Sequence, residues 1–301
     1  MAINFVPAGW FALPIVFMPE PRQSDARKLA RRLTAGPHAD VRQERSAKVP
    51  YLAELHNAAP PSGETIPADR FRIATYNVHK WGGRRGGRSF MPAKAEAVLH
   101  ELDADVIALQ EVLRPFDGPD PLIELADHLG YTMAFVCTRV HRRGELGNAV
   151  LARWPFAAAF AIDLSFGRLE QRSALAVQFQ GDRAPLTIAA THLAIVDGTR
   201  KRQVESLLSH PQIARGPVIL LGDMNAWRRK SAAARHLDSE FLIRHHNTNW
   251  PASYPSVRPI MALDRAYARG ATLENLHVHT SPAARKGSDH LPVVADVVLN
   301  T

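Results

Sequence analysis

The sequence predicts an α/β chain built from mixed β-sheets covered by helices, and three observations carry that reading. From Phe71 onward, apolar runs of strand length alternate with segments of helical periodicity. Some runs are joined by very short links such as Trp154-Pro155, which suit antiparallel pairs, while others are joined through a helix. Four runs end in a polar residue, at Asn77, Glu111, His192 and Asp223, and a fifth is opened by Asp289-His290.

Residues 1–70 have a different texture. Segments 24–33 and 44–58 read as short helices charged on one face, and 59–70 is a linker rich in turn formers. The expected organisation is therefore an N-terminal appendage and linker over 1–70 and a main domain over 71–301. Within that domain 72–78 is a strand, and 92–102 is a helix opened by Pro92. A buried strand follows at 105–112, then a helix at 120–130 stopped by Gly130. Strands are expected at 131–137, 147–153, 156–164, 173–180 and 186–193. A helix over 198–211 precedes a strand of central type at 217–225, and strands at 263–270, 273–280 and 291–299 complete the chain.

The 301 residues are 46% hydrophobic, enough for a sizeable core. A net charge of +8 favours anionic partners, and basic clusters recur at Arg84-Arg85-Arg88, Arg142-Arg143, Arg200 to Arg202, Arg228 to Lys230 and Arg285-Lys286. A single cysteine, Cys137, excludes an internal disulfide framework and a thiolate metal cluster. Residues 1–19 are apolar but lack a basic leader and a cleavage site, so a cytoplasmic location is favoured, with peripheral membrane association or export left open.

Strand ends place side chains on one rim of a sheet, so polar groups distant in sequence can converge there. Carboxylates, amides and imidazoles gathered in this way are what phosphate-ester hydrolysis on a divalent cation requires. Glu111 is either a metal ligand or the partner of an arginine, and Asn77 is either a neutral ligand or a turn former. Asp223 and Asn225 lie two residues apart on an extended chain and point the same way, so one can take a proton from water while the other holds it; an Asx turn is the alternative. His290 can donate to a phosphate oxygen if an acid orients its ring, and Asp264 at the start of a strand is the candidate. His192 is a further donor or a structural imidazole. His245-His246 and His277 with His279 lack any zinc framework, so the carboxylate and amide set favours Mg²⁺, with Mn²⁺ as the alternative. Trp81 and Trp227, beside two of the motifs, are candidates for stacking on bases.

Taken in this order, Asn77, QEV at Glu111, His192, GDMN at Asp223 and Asn225, and SDH at Ser288 to His290 resemble the endonuclease/exonuclease/phosphatase superfamily, the DNase I-like fold. The resemblance covers about residues 71–300 and includes GNAVLAR with Asn148, EQRSAL with Glu170 and Arg172, and the TYPS-like SYPSVRPIMALDRAY with Asp264. It implies a four-layer αββα sandwich whose catalytic domain is 71–301. It implies metal binding by Asn77, Glu111 and Asp289, water activation by Asp223 and positioning by Asn225. Phosphate contacts would fall to His192 and His290, with Asp264 orienting His290. Asn148 and Arg172 would hold phosphate oxygens, and Glu170 would support Arg172. Many nuclease members carry an acid two residues after the first Asn; here that position is His79, followed by Lys80, which is expected to meet substrate phosphate.

The leading expectation is a Mg²⁺-dependent phosphodiesterase, with nucleic acid favoured over a phospholipid or other small phosphate ester. A non-catalytic binding protein on the same fold is the remote competitor. No protein partner can be inferred.

Overall fold

The computed structural model of the protein describes residues 52–56, 66, 70–87, 89–166, 171–181, 185–227, 231–242 and 250–300. The expected helix over 24–33, the apolar first 19 residues and most of the 59–70 linker lie outside the described residues.

Two mixed sheets form the centre of the fold. The larger contains β1 (Ala53–His56), β2 (Arg70–Asn77), β3 (Val106–Pro115), β4 (Thr132–His141), β5 (Gly144–Ala152), β11 (Ala271–Val278) and β12 (Val293–Leu299), in the order β1-β4-β5-β3-β2-β12-β11. The smaller contains β6 (Ala158–Asp163), β7 (Ser173–Phe179), β8 (Leu186–His192), β9 (Val218–Asp223) and β10 (Asp264–Arg269), in the order β10-β9-β8-β7-β6. The helices are α1 (Pro92–Leu102), α2 (Pro121–Leu129), α3 (Asp197–Ser209), α4 (Pro211–Ala214), α5 (Ala232–Glu240) and α6 (Ala284–Gly287).

Strand alternation accounts for the layers. In β2, Phe71 and Ile73 face the smaller sheet while Ala74 and Tyr76 face α1; in β9, Ile219 and Leu221 face inward while Val218 and Leu220 face α3 and α5. Because both faces of the central strands are covered, their sequences read as unbroken apolar runs. Three apolar clusters therefore separate four layers: helices on the larger sheet, sheet on sheet, and helices on the smaller sheet. This is the expected αββα sandwich.

Two departures from expectation have local causes. Part of the segment read as a helix over 44–58 is instead β1, whose backbone pairs antiparallel with the edge of β4 from Ala53↔Val136 to His56↔Met133. An open sheet edge offers hydrogen bonds that a four-residue helical turn cannot match. Helix α5 was not among the expected elements; Ser231 caps it by accepting from the Ala234 N–H.

Two parallel pairs set the polarity of the rim. β2 runs parallel to β3, and β8 parallel to β9 in a register that places His192 beside Asp223. β10 runs antiparallel to β9, and its first residue, Asp264, pairs with Asp223. The close β8–β9 approach depends on Gly222, at φ +146°, where a Cβ would overlap the Thr191 carbonyl oxygen. Gly222→Ala is expected to cost about 2–3 kcal/mol of stability through overlap and backbone strain. Urea denaturation measures this, and a change under about 0.5 kcal/mol would contradict the close-approach argument.

Candidate active site

The parallel pairs deliver Asn77, Glu111, His192 and Asp223 to one rim, and the turn before β12 brings Asp289 and His290 to the same place. A cleft of about 320 Å³ opens there. Nine of the twelve residues singled out from sequence line it: Asn77, Glu111, Asn148, Arg172, His192, Asp223, Asn225, Asp289 and His290. Asp264 sits behind His290, Lys80 lines a neighbouring cavity, and Glu170 lies outside the described residues.

Asp223 is at the centre and buried. Its Oδ2 accepts from Asn77 Nδ2 at 3.2 Å, and its Oδ1 accepts from the Asn225 N–H at 2.9 Å. His192 Nε2 stands 3.4 Å and His290 Nε2 3.8 Å from Oδ2. Burial and the neighbouring Asp264 carboxylate raise Asp223 to about 6, although His290 and the Asn225 and Asn77 hydrogen bonds oppose the rise. A carboxyl raised in this way is at ease only below its ordinary value near 3.8, and it costs stability as pH rises through 6.

His290 is the complementary charge. Its Nδ1 lies 2.8 Å from Asp264 Oδ2, which also accepts from Ser253 Oγ at 2.6 Å. The Tyr254 ring packs against the imidazole with centroids 4.8 Å apart. Burial works against the imidazolium, but Asp264, with help from Asp223 and Asp289, raises it to about 10. That pair contributes stability that is fully present below the ordinary histidine value near 6.5 and lost as pH rises through 10. His192 behaves oppositely: burial and Arg172 push it well below 6.5, leaving a neutral ring.

Glu111 reaches the cleft through a β-bulge. The β3–β5 register shifts between Leu109 and Val112, and Glu111 takes φ +53°, which re-aims its side chain off the strand. Burial opposes its charge, yet the Lys80 ammonium beside it holds the carboxyl below its ordinary value. Lys80 Nζ bonds Glu111 Oε2, and His79 Nδ1 lies 3.1 Å from Asp289 Oδ1. Thus the His79 and Lys80 side chains, in a turn with positive φ at both residues, each meet an acid at the cleft.

Two donor sets come into question for a cation. The Asp223, Asp264 and His290 ligand atoms lie within 4.8 Å of one another. That group is already closed by the His290–Asp264 bond, and an imidazolium has no lone pair to offer a metal. Asn77, Glu111 and Asp289 instead offer oxygen donors, one of them a carboxylate held ionised, facing one cleft. Such donors fit a hard divalent ion, and the Lys80 ammonium on Glu111 shows that this position already attracts a cation.

Ser253 and Tyr254, the first two residues of the SYPS motif, buttress Asp264 and His290. Thr138 and Arg139, which escaped sequence reading, form a wall of the cleft from β4. Only Arg139 carried a signal, as a charge inside an otherwise apolar strand. Trp81, expected near bases, is fully buried and donates Nε1–H to the Leu113 carbonyl at 2.7 Å, so it is core; Trp227 is 47% exposed. Among the basic clusters, Arg200 is buried on the Ala194 and Ile195 carbonyls and Asp197, and Arg285 holds the Ser256 and Val257 carbonyls. Those two guanidiniums brace loops. Arg88, residues 228–230 and His245-His246 lie outside the described residues, while His279 meets Glu101 and His277 is exposed on β11.

Comparison with known proteins follows the same lines. The chain is 28% identical over 250 residues to the uncharacterized protein YbhP of Escherichia coli (strain K12), covering 76% of this chain and 96% of YbhP. The crystal structure of an endonuclease/exonuclease/phosphatase from Beutenbergia cavernae superposes with a TM-score of 0.61 at 24% identity, covering 77% of this chain and 72% of that one. D. rerio TDP2 complexed with single strand DNA product gives 0.58 at 17% identity, covering 77% and 99%. A family model described as the Endonuclease/Exonuclease/phosphatase family matches residues 74–290, which include every rim residue from Asn77 to His290, and the chain belongs to that family.

Proposed function

We propose that this protein is a divalent-cation-dependent hydrolase of phosphodiesters, with Mg²⁺ or Mn²⁺ as its ion and a nucleic-acid strand as its favoured substrate. The observation that carries the reading is the juxtaposition, within one cleft, of a buried carboxylate raised to about 6 with an imidazolium held by a second acid.

Asp223 acts as general base. At neutral pH it is ionised yet close enough to its own pKa to accept a proton from water, and Asn225 in the cleft wall holds that water through its side-chain oxygen, its Nδ2 being given to the Leu193 carbonyl. The His290 imidazolium donates to a non-bridging phosphate oxygen as negative charge develops there. Neutral His192 supplies a second donor, and Asn148 and Arg172 at the other side of the cleft hold the remaining oxygens. Asp264 positions His290 and keeps it charged. Asn77, Glu111 and Asp289 hold the cation, which when bound offsets charge on the phosphate oxygens. Glu170 supports Arg172, and Lys80 moves between Glu111 and the substrate phosphate. The proposed catalytic residues all fall within 71–301, while Ala53–His56 of the preceding segment adds the edge strand β1 to the same sandwich.

Nucleic acid is favoured by Arg139 and Arg172 in the cleft, by Lys80, Arg142 and Arg143 beside it, and by exposed Trp227, two residues from Asn225. A relative of the same fold is known with single strand DNA product bound.

Asp223→Ala is expected to lower turnover of oligonucleotides by about 10²–10⁴-fold. His290→Ala should lower it by about 10²–10³-fold, with both variants melting as cooperatively as the parent. Near-parental rates in either would remove the assignment. Chelation with EDTA should abolish turnover, and Mg²⁺ or Mn²⁺ should restore it; activity that survives chelation would exclude the cation role. In the metal-free protein, NMR titration should place the His290 imidazole near pH 10, and Asp264→Asn should move it down towards 6.5. An unshifted midpoint in that variant would show that Asp264 does not hold the proton.

A further inference from the structure

Beside the catalytic cleft lies a second cavity of about 230 Å³ whose walls come from two distant pieces of chain. His79, Lys80 and Gly87 belong to the turn after β2; His141, Arg142 and Arg143 form the tip of the β4–β5 hairpin. No carboxylate is among its described lining residues. Lys80 joins it to the cleft, because its Nζ bonds Glu111, which lines the cleft wall.

Folding brings these like charges together on a rigid frame. At the hairpin tip the Arg143 N–H donates to His141 Nδ1 at 3.2 Å, and the Phe116 N–H to the Arg143 carbonyl at 3.3 Å. Gly144 pins the tip against β3, since a Cβ there would overlap the Arg114 carbonyl. Opposite, Gly86 packs on the His79 ring so closely that a side chain has no room. The field inside is positive: burial first, then Arg139, Arg143, Lys80 and Arg142 push His141 down to about 4. A neutral His141 is also what an Nδ1 that accepts a backbone N–H requires. Cations held at fixed spacing beside a phosphate-handling cleft lower their mutual repulsion by sharing an anion.

We infer that this cavity is a subsite for a second phosphate group of the substrate, held by Lys80, Arg142 and Arg143 while the scissile phosphate occupies the cleft. The inference rests on the hydrolase reading above and deepens it: the substrate carries at least two phosphates, and single diesters are poor ligands. The second phosphate is either the next one along a nucleic-acid strand or a further phosphate on a small polyphosphorylated headgroup.

Calorimetric binding in EDTA separates these cases, with dimethyl phosphate, a 5′-phosphorylated thymidine tetranucleotide and inositol trisphosphate as probes. The parent protein should prefer at least one of the two larger probes over dimethyl phosphate by tenfold or more. Arg142→Ala with Arg143→Ala, which removes two of the three cationic contacts, should cut that preference by about tenfold or more. Arg142→Glu, at an exposed side chain, should do the same and guards against misfolding in the double variant. Whichever probe shows the preference identifies the source of the second phosphate. A preference unchanged in both variants, or an equal loss for one- and two-phosphate probes, would overturn the subsite. Turnover of the 5′-phosphorylated thymidine tetranucleotide with Mg²⁺ is measured separately. Its absence in the parent would defeat the hydrolase reading, whereas turnover with an unaltered binding preference would defeat only the subsite.

Discussion

The buried Asp223 carboxylate is the interaction on which this site depends. It sits at the end of a strand of the smaller sheet, yet it accepts from Asn77 of the larger sheet and stands beside imidazoles from both. Taking a carboxylate out of water costs several kcal/mol unless hydrogen bonds and opposite charge replace the lost hydration. Here the replacements come from four separate segments, so the carboxyl links the two sheets, although they do not fully offset the cost of burying its charge. It also makes the rim sensitive to register, because a one-residue slip in β9 would turn Asp223 towards a helix layer.

Electrostatic specialisation follows from unequal surroundings. Two acids and two imidazoles of the same types are driven apart: Asp223 is raised and Glu111 lowered, His290 raised and His192 lowered. Backbone strain is concentrated at the same place, with positive φ at His79, Lys80, Glu111 and Asn225. The three packed apolar clusters hold those conformations, each of which costs of order 1–3 kcal/mol. A rigid sandwich with a strained polar rim is well suited to hold donors where a phosphate will sit.

Much of this was legible in the chain because chemistry interrupts pattern. Asn77, Glu111, His192 and Asp223 stand out as polar residues that close fully apolar runs, and all four line the cleft. Other features were not legible, for physical reasons. Charge alone does not reveal that Arg200 and Arg285 spend their donors on loop carbonyls, nor hydrophobicity that Trp81 is core while Trp227 faces water. Residues 53–56 read as helical because their local pattern is short, and the free edge of β4 decided otherwise. The SYPS motif marks Ser253 and Tyr254 without revealing that they brace Asp264 and His290.

The amino-acid sequence by itself determined the fold class, the strands that carry polar ends, the family and the roster of acids and imidazoles. Those properties are local, set by period, run length and residue type. Only the tertiary structure decided which of them share a cleft, which ring is protonated, and that Lys80 faces Glu111 while two arginine-bearing turns enclose a second cavity. Charge state and ligand geometry depend on distances of a few ångströms between residues up to about two hundred positions apart, and no local pattern encodes them.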